Sequence, residues 1–191
     1  MNTVYTAILG GYDKPKVPRV VGAEWRYVLF TDKSVDAIEP WEVVVVDSDK
    51  AMTPRRMARI VKAMSHDFCD DAEYSIWIDG SLELLEDPGE LIAKHLVNHD
   101  IATFRHPHRT TIQREAKVIV RRRLDDKATV ESQMRKYADA GYNSTWLAET
   151  GFLMRRHADD VVWFNELWWS VIDSGGHRDQ LSFPYAADSA G

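Results

Sequence analysis

Cysteine is nearly absent, with Cys69 the only one among 191 residues. That excludes an internal disulfide framework and suits a reducing compartment. No apolar run of roughly 18 residues occurs, so no stretch reads as a membrane-spanning helix. The chain opens directly into a strand-like segment, without a basic-then-apolar leader. The expectation is a cytoplasmic protein, or a catalytic domain cut from a longer one. Positive charge is in deficit, with a net charge of −6, which speaks against generic nucleic-acid binding. Internal repeats, low-complexity linkers and a visible domain boundary are also missing. So is a glycine-rich, lysine-bearing phosphate loop, which ranks nucleotidyl transfer low. The remaining composition, 45% hydrophobic and 28% charged, is that of an ordinary globular protein, and one domain over residues 1–191 is expected.

What is present is a set of strand-like runs that end on acids. Residues 4–9, 25–30, 42–46 and 74–78 are rich in β-branched and aromatic side chains, as buried strands are. The last three finish at Asp32, Asp47 and Asp79. In an α/β fold, ligands bind at the carboxyl ends of the strands, so the three acids are expected along one edge of a parallel sheet. Gly10-Gly11-Tyr12-Asp13 follows the first strand. Paired glycines let backbone approach a ligand closely, or simply form a turn.

Helical signals alternate with the strands. Thr53 and Pro54 mark a start, and Met57, Ile60, Val61 and Met64 have the spacing of a buried face. Arg55, Arg59 and Lys62 then fall on the opposite face, as a solvated basic stripe or as phosphate contacts. Residues 82–85 read as a short extended piece, and Asp87-Pro88 opens a helix to about residue 97. A strand over 100–104 leads into a basic stretch, Arg105 to Arg123, in which Ile112, Ala116, Ile119 and Val120 have helical spacing. Val130, Met134, Tyr137 and Ala138 mark another helix, closed by Gly141. Residues 146–154 read as a late strand carrying Glu149. Asp159 or Asp160 caps a helix rich in Trp to about residue 172, ended by Ser174-Gly175-Gly176, and the tail frays over 186–191. Trp163, Phe164, Trp168 and Trp169 read as core rather than as a sugar platform.

Asp79-Gly80-Ser81 resembles a degenerate Asp-X-Asp element, although Asp-Gly alone can also open a turn. A hard divalent cation, Mg²⁺ or Mn²⁺, takes carboxylate oxygens and shares its other positions with phosphate and water. One carboxylate and one hydroxyl need a further ligand, and His157, His177 and Glu149 are candidates. His106, His108 and His157 read equally well as ordinary hydrogen-bonded histidines. A cation at Asp79, helped by Arg or Lys, suits neutralisation of a leaving diphosphate. Tyr5-Thr6-Ala7 and Thr31-Asp32 would then hold a base and ribose.

Several short motifs run in one order along the chain. They are Tyr5-Thr6-Ala7-Ile8 with Gly10-Gly11-Tyr12-Asp13, Phe30-Thr31-Asp32, and Pro54-Arg55-Arg56-Met57-Ala58-Arg59 with Lys62 and His66. Next come Ser75-Ile76-Trp77-Ile78-Asp79-Gly80, Asp87-Pro88, and His106-Pro107-His108-Arg109 with Glu115. Arg155-Arg156-His157, Glu166 and Arg178-Asp179-Gln180-Leu181-Ser182-Phe183 complete the series. In this the chain resembles a glycosyltransferase-like family, long of unknown function, that includes plant proteins linked to pectin and mucilage synthesis. The resemblance implies a single-domain, GT-A-like (Rossmann-like) α/β fold with a mostly parallel sheet flanked by helices. It implies a hexosyl- or pentosyltransferase using a nucleotide-diphosphate-sugar donor and a carbohydrate or other hydroxyl-bearing acceptor. By the same analogy Asp79 stands where the metal-binding Asp-X-Asp begins, and with Ser81 and the candidate His157 it makes up the expected metal set. Tyr5, Thr6, Ala7, Asp32, Arg59, Lys62, Arg109 and Arg178 bind the donor, and Asp179 and Gln180 face the reacting sugar. Ser81 stands where the usual pattern has a second acid. Two alternatives stay open: a non-catalytic nucleotide- or glycan-binding module of the same fold, and a transferase acting on modified DNA bases through the basic stretch.

Overall fold

The structure is a computed structural model that describes residues 1–36, 38–47 and 52–191. It is α/β. Six strands form one sheet: β1 (Asn2–Ala7), β2 (Trp25–Thr31), β3 (Glu42–Val45), β4 (Tyr74–Ile78), β5 (Ile101–Arg105) and β6 (Ala148–Arg156). Among the described residues there are seven helices: α1 (Pro54–Ala63), α2 (Ser65–Phe68), α3 (Pro88–His95), α4 (Ile112–Arg122), α5 (Lys127–Asp139), α6 (Asp159–Asp173) and α7 (Asp179–Ala190). The strand order is β3-β2-β1-β4-β6-β5. The first four pair in parallel, and β6 runs antiparallel to β4. The chain gathers into two compact units, one of Met1–Ala102 with Gly151–Val162, the other of Thr103–Thr150 with Trp163–Gly191.

In unit 1 the parallel register carries Asp32, Asp47 and Asp79 past the carboxyl ends of β2, β3 and β4, on one sheet edge as expected. Val4, Ile8, Leu29, Ile76 and Ile78 pack with Leu91, Leu96, Phe152 and Met154 into its core. The β3 run is less buried than its apolar sequence suggests, because β3 is the outermost strand and has only β2 beside it. Helix α1 starts where predicted: the Thr53 hydroxyl accepts from Arg56 N, and Pro54 opens the first turn. At its other end Arg155, fully buried on β6, donates from both Nη1 and Nη2 to the Lys62 carbonyl at 2.9 Å, and from Nη1 to Ala63 O at 3.3 Å. These bonds satisfy carbonyls that a helix end leaves open. Residues 82–85 are not a strand. Leu82 N donates to Asp79 O at 2.8 Å, which closes a four-residue turn.

In unit 2, Ile112, Ala116, Ile119, Val130, Tyr137, Leu147 and Leu181 form a separate core under α4, α5 and α7. The tail does not fray, since α7 continues to Ala190. Tyr185 stacks on Tyr137 with ring centroids 4.5 Å apart, and Asp188 accepts from Tyr142 Oη at 2.7 Å and Trp146 Nε1 at 3.0 Å. Tertiary contacts thus override the weak helical signal of a segment containing Pro184. The aromatic cluster divides: Phe164 and Trp168 are core, whereas Trp163 is exposed.

Gly80 sits in the turn after β4 with no room for a side chain, as a Cβ there would lie 2.7 Å from Ile8 Cδ1. Gly80→Ala should cost about 1–3 kcal/mol by overpacking, measured by urea unfolding. Ile8→Val in the same chain should recover part of that loss, and no recovery would show that steric pressure on Ile8 is not the cause.

Candidate functional site

The carboxyl edge in unit 1 begins at the glycine pair. Gly10 and Gly11 adopt φ of 74° and 65°, a region that costs glycine little. The turn brings Gly10 N to Asp32 Oδ2 at 2.9 Å, while the buried Asp32 Oδ1 has no hydrogen-bond partner among the described residues. Gly10 also abuts the start of α1, where a Cβ on the glycine would fall 3.2 Å from Pro54 Cβ; a Cβ at Gly11 would lie 3.7 Å from Lys33 Nζ. Tyr12 in this loop donates to Ala7 O at 3.4 Å. Burial raises its phenol pKa, and the charges of Arg59, Asp79, Asp13 and Arg55 act on it as well. The loop, both arginines and both acids therefore share one neighbourhood.

Asp79 is the best-held acid there. Its Oδ1 accepts from Trp77 Nε1 at 2.8 Å and from Lys62 Nζ at 3.4 Å, and Nζ lies 5.3 Å from the Trp77 ring centroid. The Lys62 side chain is 1% exposed and that of Asp79 is 38% exposed. Lys62 is therefore not part of a solvated stripe. Its burial leaves it orienting Asp79, whose carboxylate meets solvent. Trp77 could have been found from sequence, since residues i and i+2 of a strand share a face; Lys33 carried no sequence signal.

Of the expected site residues, Thr6, Ala7, Asp32, Arg59, Lys62, Asp79 and Ser81 lie in unit 1 on or next to this edge. Tyr5 is fully buried and donates to Lys62 O at 3.1 Å, so its side chain offers a ligand no surface. The grouping of His157 with Asp79 needs correction. Antiparallel pairing sets Tyr74 opposite Arg156 and Ile78 opposite Phe152, and His157 N donates to Glu73 O. His157 and Asp79 thus sit at opposite ends of β4, separated by about 3.3 Å per residue, too far to share an ion. His157 Nε2 is instead 2.8 Å from Ser75 Oγ.

Unit 2 holds the remaining residues. Arg178 Nη2 donates to Gln180 Oε1 at 3.1 Å, and Gln180 Nε2 donates to both Glu149 oxygens at 3.3 and 3.4 Å. Asp179 is 3% exposed and accepts from Thr150 Oγ1 at 2.9 Å. The half-exposed carboxylate of this group is Glu149, 3.8 Å from His106 Nε2. Two backbone amides, of His108 and Arg109, donate to His106 Nδ1 at 3.0 and 3.1 Å, and Arg109 Nη2 lies 2.6 Å from His106 Nε2. Burial and the Arg109 guanidinium lower the His106 pKa. Arg109 is itself paired with the buried Glu115.

Residues 2–190 match the family described as TOD1/MUCI70, glycosyltransferase-like domain. The chain belongs to that family. Within the TOD1/MUCI70 family it is similar to "Probable hexosyltransferase MUCI70" of Arabidopsis thaliana, 27% identical over 213 residues, covering 97% of this chain and 37% of the relative. It is also similar to "Alkaline ceramidase TOD1" of Arabidopsis thaliana, 23% identical over 220 residues, covering 97% of this chain and 48% of the relative. The chain thus spans less than half the length of either curated relative. No helix among the described residues is long and apolar enough to cross a membrane.

Burial, then the charges of Arg155 and His66, depresses the His157 pKa from 6.5 to about 4. Between these values the unfolded chain binds the proton and the folded chain does not, so the stability it contributes is full above pH 6.5 and is lost as pH falls towards 4. His157→Gln should lose less stability than the wild type between pH 7.5 and 4.5 in urea titrations. Equal losses would contradict the assignment.

Proposed function

We propose that this member of the TOD1/MUCI70 family transfers a sugar, a hexose or pentose, from a nucleoside-diphosphate donor to a hydroxyl-bearing acceptor, with unit 1 as the donor-binding part. The observation that carries this is the single sheet edge on which a glycine loop, Asp32, two arginines and the oriented Asp79 come together. In this reading a ribose hydroxyl donates to Asp32 Oδ2, the oxygen that also accepts from Gly10 N at the exposed edge, and the backbone of Gly10 and Gly11 allows close approach of the donor. Arg55, Arg59 and Lys33 balance the diphosphate charge as it builds on the leaving group.

A resident metal centre does not fit the residues present. Among the described residues no three His, Cys, Asp or Glu side chains gather to hold an ion, and Asp79 shares Oδ1 with Trp77 and Lys62. Mg²⁺ or Mn²⁺ belongs in the proposal as part of the donor, carried on its diphosphate, with Asp79 the protein carboxylate beside it and Ser81 in the same turn. In unit 2, Asp179 fixes the start of α7 through Thr150, and the partly exposed Glu149, held by Gln180, is the acceptor suited to a sugar hydroxyl.

The ceramidase relative suggests a second reading, hydrolysis by an activated serine. Ser75 and His157 have the spacing of a nucleophile and base, but Ser75 is buried, so no substrate carbonyl reaches it and sugar transfer is preferred.

In a screen of nucleotide-sugars, the true donor should release nucleoside diphosphate when acceptor is supplied. Asp79→Asn should lower that turnover by about 100-fold or more with an unchanged circular dichroism spectrum, and Arg59→Ala should raise KM for the donor. Full activity of Asp79→Asn would sink the proposal. Donor binding by the wild type without release of nucleoside diphosphate would identify a binding module instead.

A further inference from the structure

The basic stretch Arg105–Arg123 lies in unit 2, where part of it lines an apolar groove. Between α4 and α5 runs an open groove of about 590 Å³, within the size range of small-ligand sites. Its floor is apolar, built from Ala116, Val120, Val130 and Met134. Lys117 and Arg121, one helical turn apart on α4, stand on one side and Arg135 of α5 on the other. All three are exposed, and none forms a hydrogen bond or ion pair through its side chain with the described residues. The acid on the rim, Glu131, is already paired with Lys127 at 3.7 Å. In a chain of net charge −6, a dry floor ringed by three uncompensated cations is a local inversion of the molecule's charge.

We propose that this groove binds an anionic amphiphile, with its alkyl chain on the Ala116–Val120–Val130–Met134 floor and its acidic head on Lys117, Arg121 and Arg135. Polyanions such as DNA draw on cations alone and gain nothing from the apolar floor. A neutral lipid gains nothing from the rim. An acyl chain with a negative head uses both features, burying methylenes on the floor while its charge meets the cations. The site is independent of the proposed sugar transfer and can be tested without it.

The full chain, isotopically labelled, is titrated with laurate, and separately with dodecyl maltoside and dodecylammonium at equal chain length, all below micelle formation. Laurate should bind most tightly, with amide shift changes confined to α4 and α5. The triple variant Lys117→Gln, Arg121→Gln, Arg135→Gln should weaken laurate at least tenfold and leave dodecyl maltoside unaffected. Equal binding of laurate and dodecylammonium, or shifts outside α4 and α5, would overturn the assignment. So would binding of an acidic amphipathic peptide or a DNA duplex at this face without binding of laurate.

Discussion

A lysine ammonium shut away from water is the constraint on which unit 1 depends. An ion moved out of water costs several kcal/mol unless partners compensate it, and Lys62 meets that cost with the Asp79 carboxylate and the face of Trp77. Its own backbone carbonyl is the acceptor for Tyr5 Oη and for both terminal nitrogens of Arg155. One residue of α1 therefore ties together β1, β4 and β6. The same network leaves Asp79 oriented from below and open above. An acid held in this way can meet a ligand without first paying to order its side chain, which is the advantage of preorganisation.

Unit 2 distributes its charge differently. Glu115 is buried and paired with Arg109, and Asp179 is buried and accepts from Thr150. Within its cluster with Gln180 and His106, Glu149 is the partly exposed carboxylate. On α4 and α5, Lys117, Arg121 and Arg135 form no ion pair with the described residues and stand beside apolar surface. Acids in polar clusters and cations beside a dry groove suit different ligand classes, which is why one basic stretch in the sequence does not translate into one function.

Much of the fold is legible in the sequence because periodicity and caps are local signals. The strands ending on Asp32, Asp47 and Asp79, the Thr53-Pro54 and Asp87-Pro88 starts, and the Gly141 stop all rest on neighbouring residues. What depends on distant partners is not legible. The end of α7 is held by Tyr137, Tyr142 and Trp146, far back in the chain. Lys62 reads as a surface cation until β4 supplies Trp77 and Asp79. His157 groups with Asp79 in sequence because both flank strands, but the direction in which β6 pairs with β4 decides which end each occupies. Sequence spacing does not state that direction.

The proposed transfer requires the carboxyl edge of unit 1 to receive a nucleoside diphosphate. The most direct measurement is a titration of the labelled full chain with a panel of nucleoside diphosphates, followed by amide chemical shifts. Saturable binding of at least one of them is expected, with the largest shifts at Gly10, Gly11, Asp32 and Gly80. Saturable binding that leaves these four amides unmoved would contradict it, as would no binding by any member of the panel.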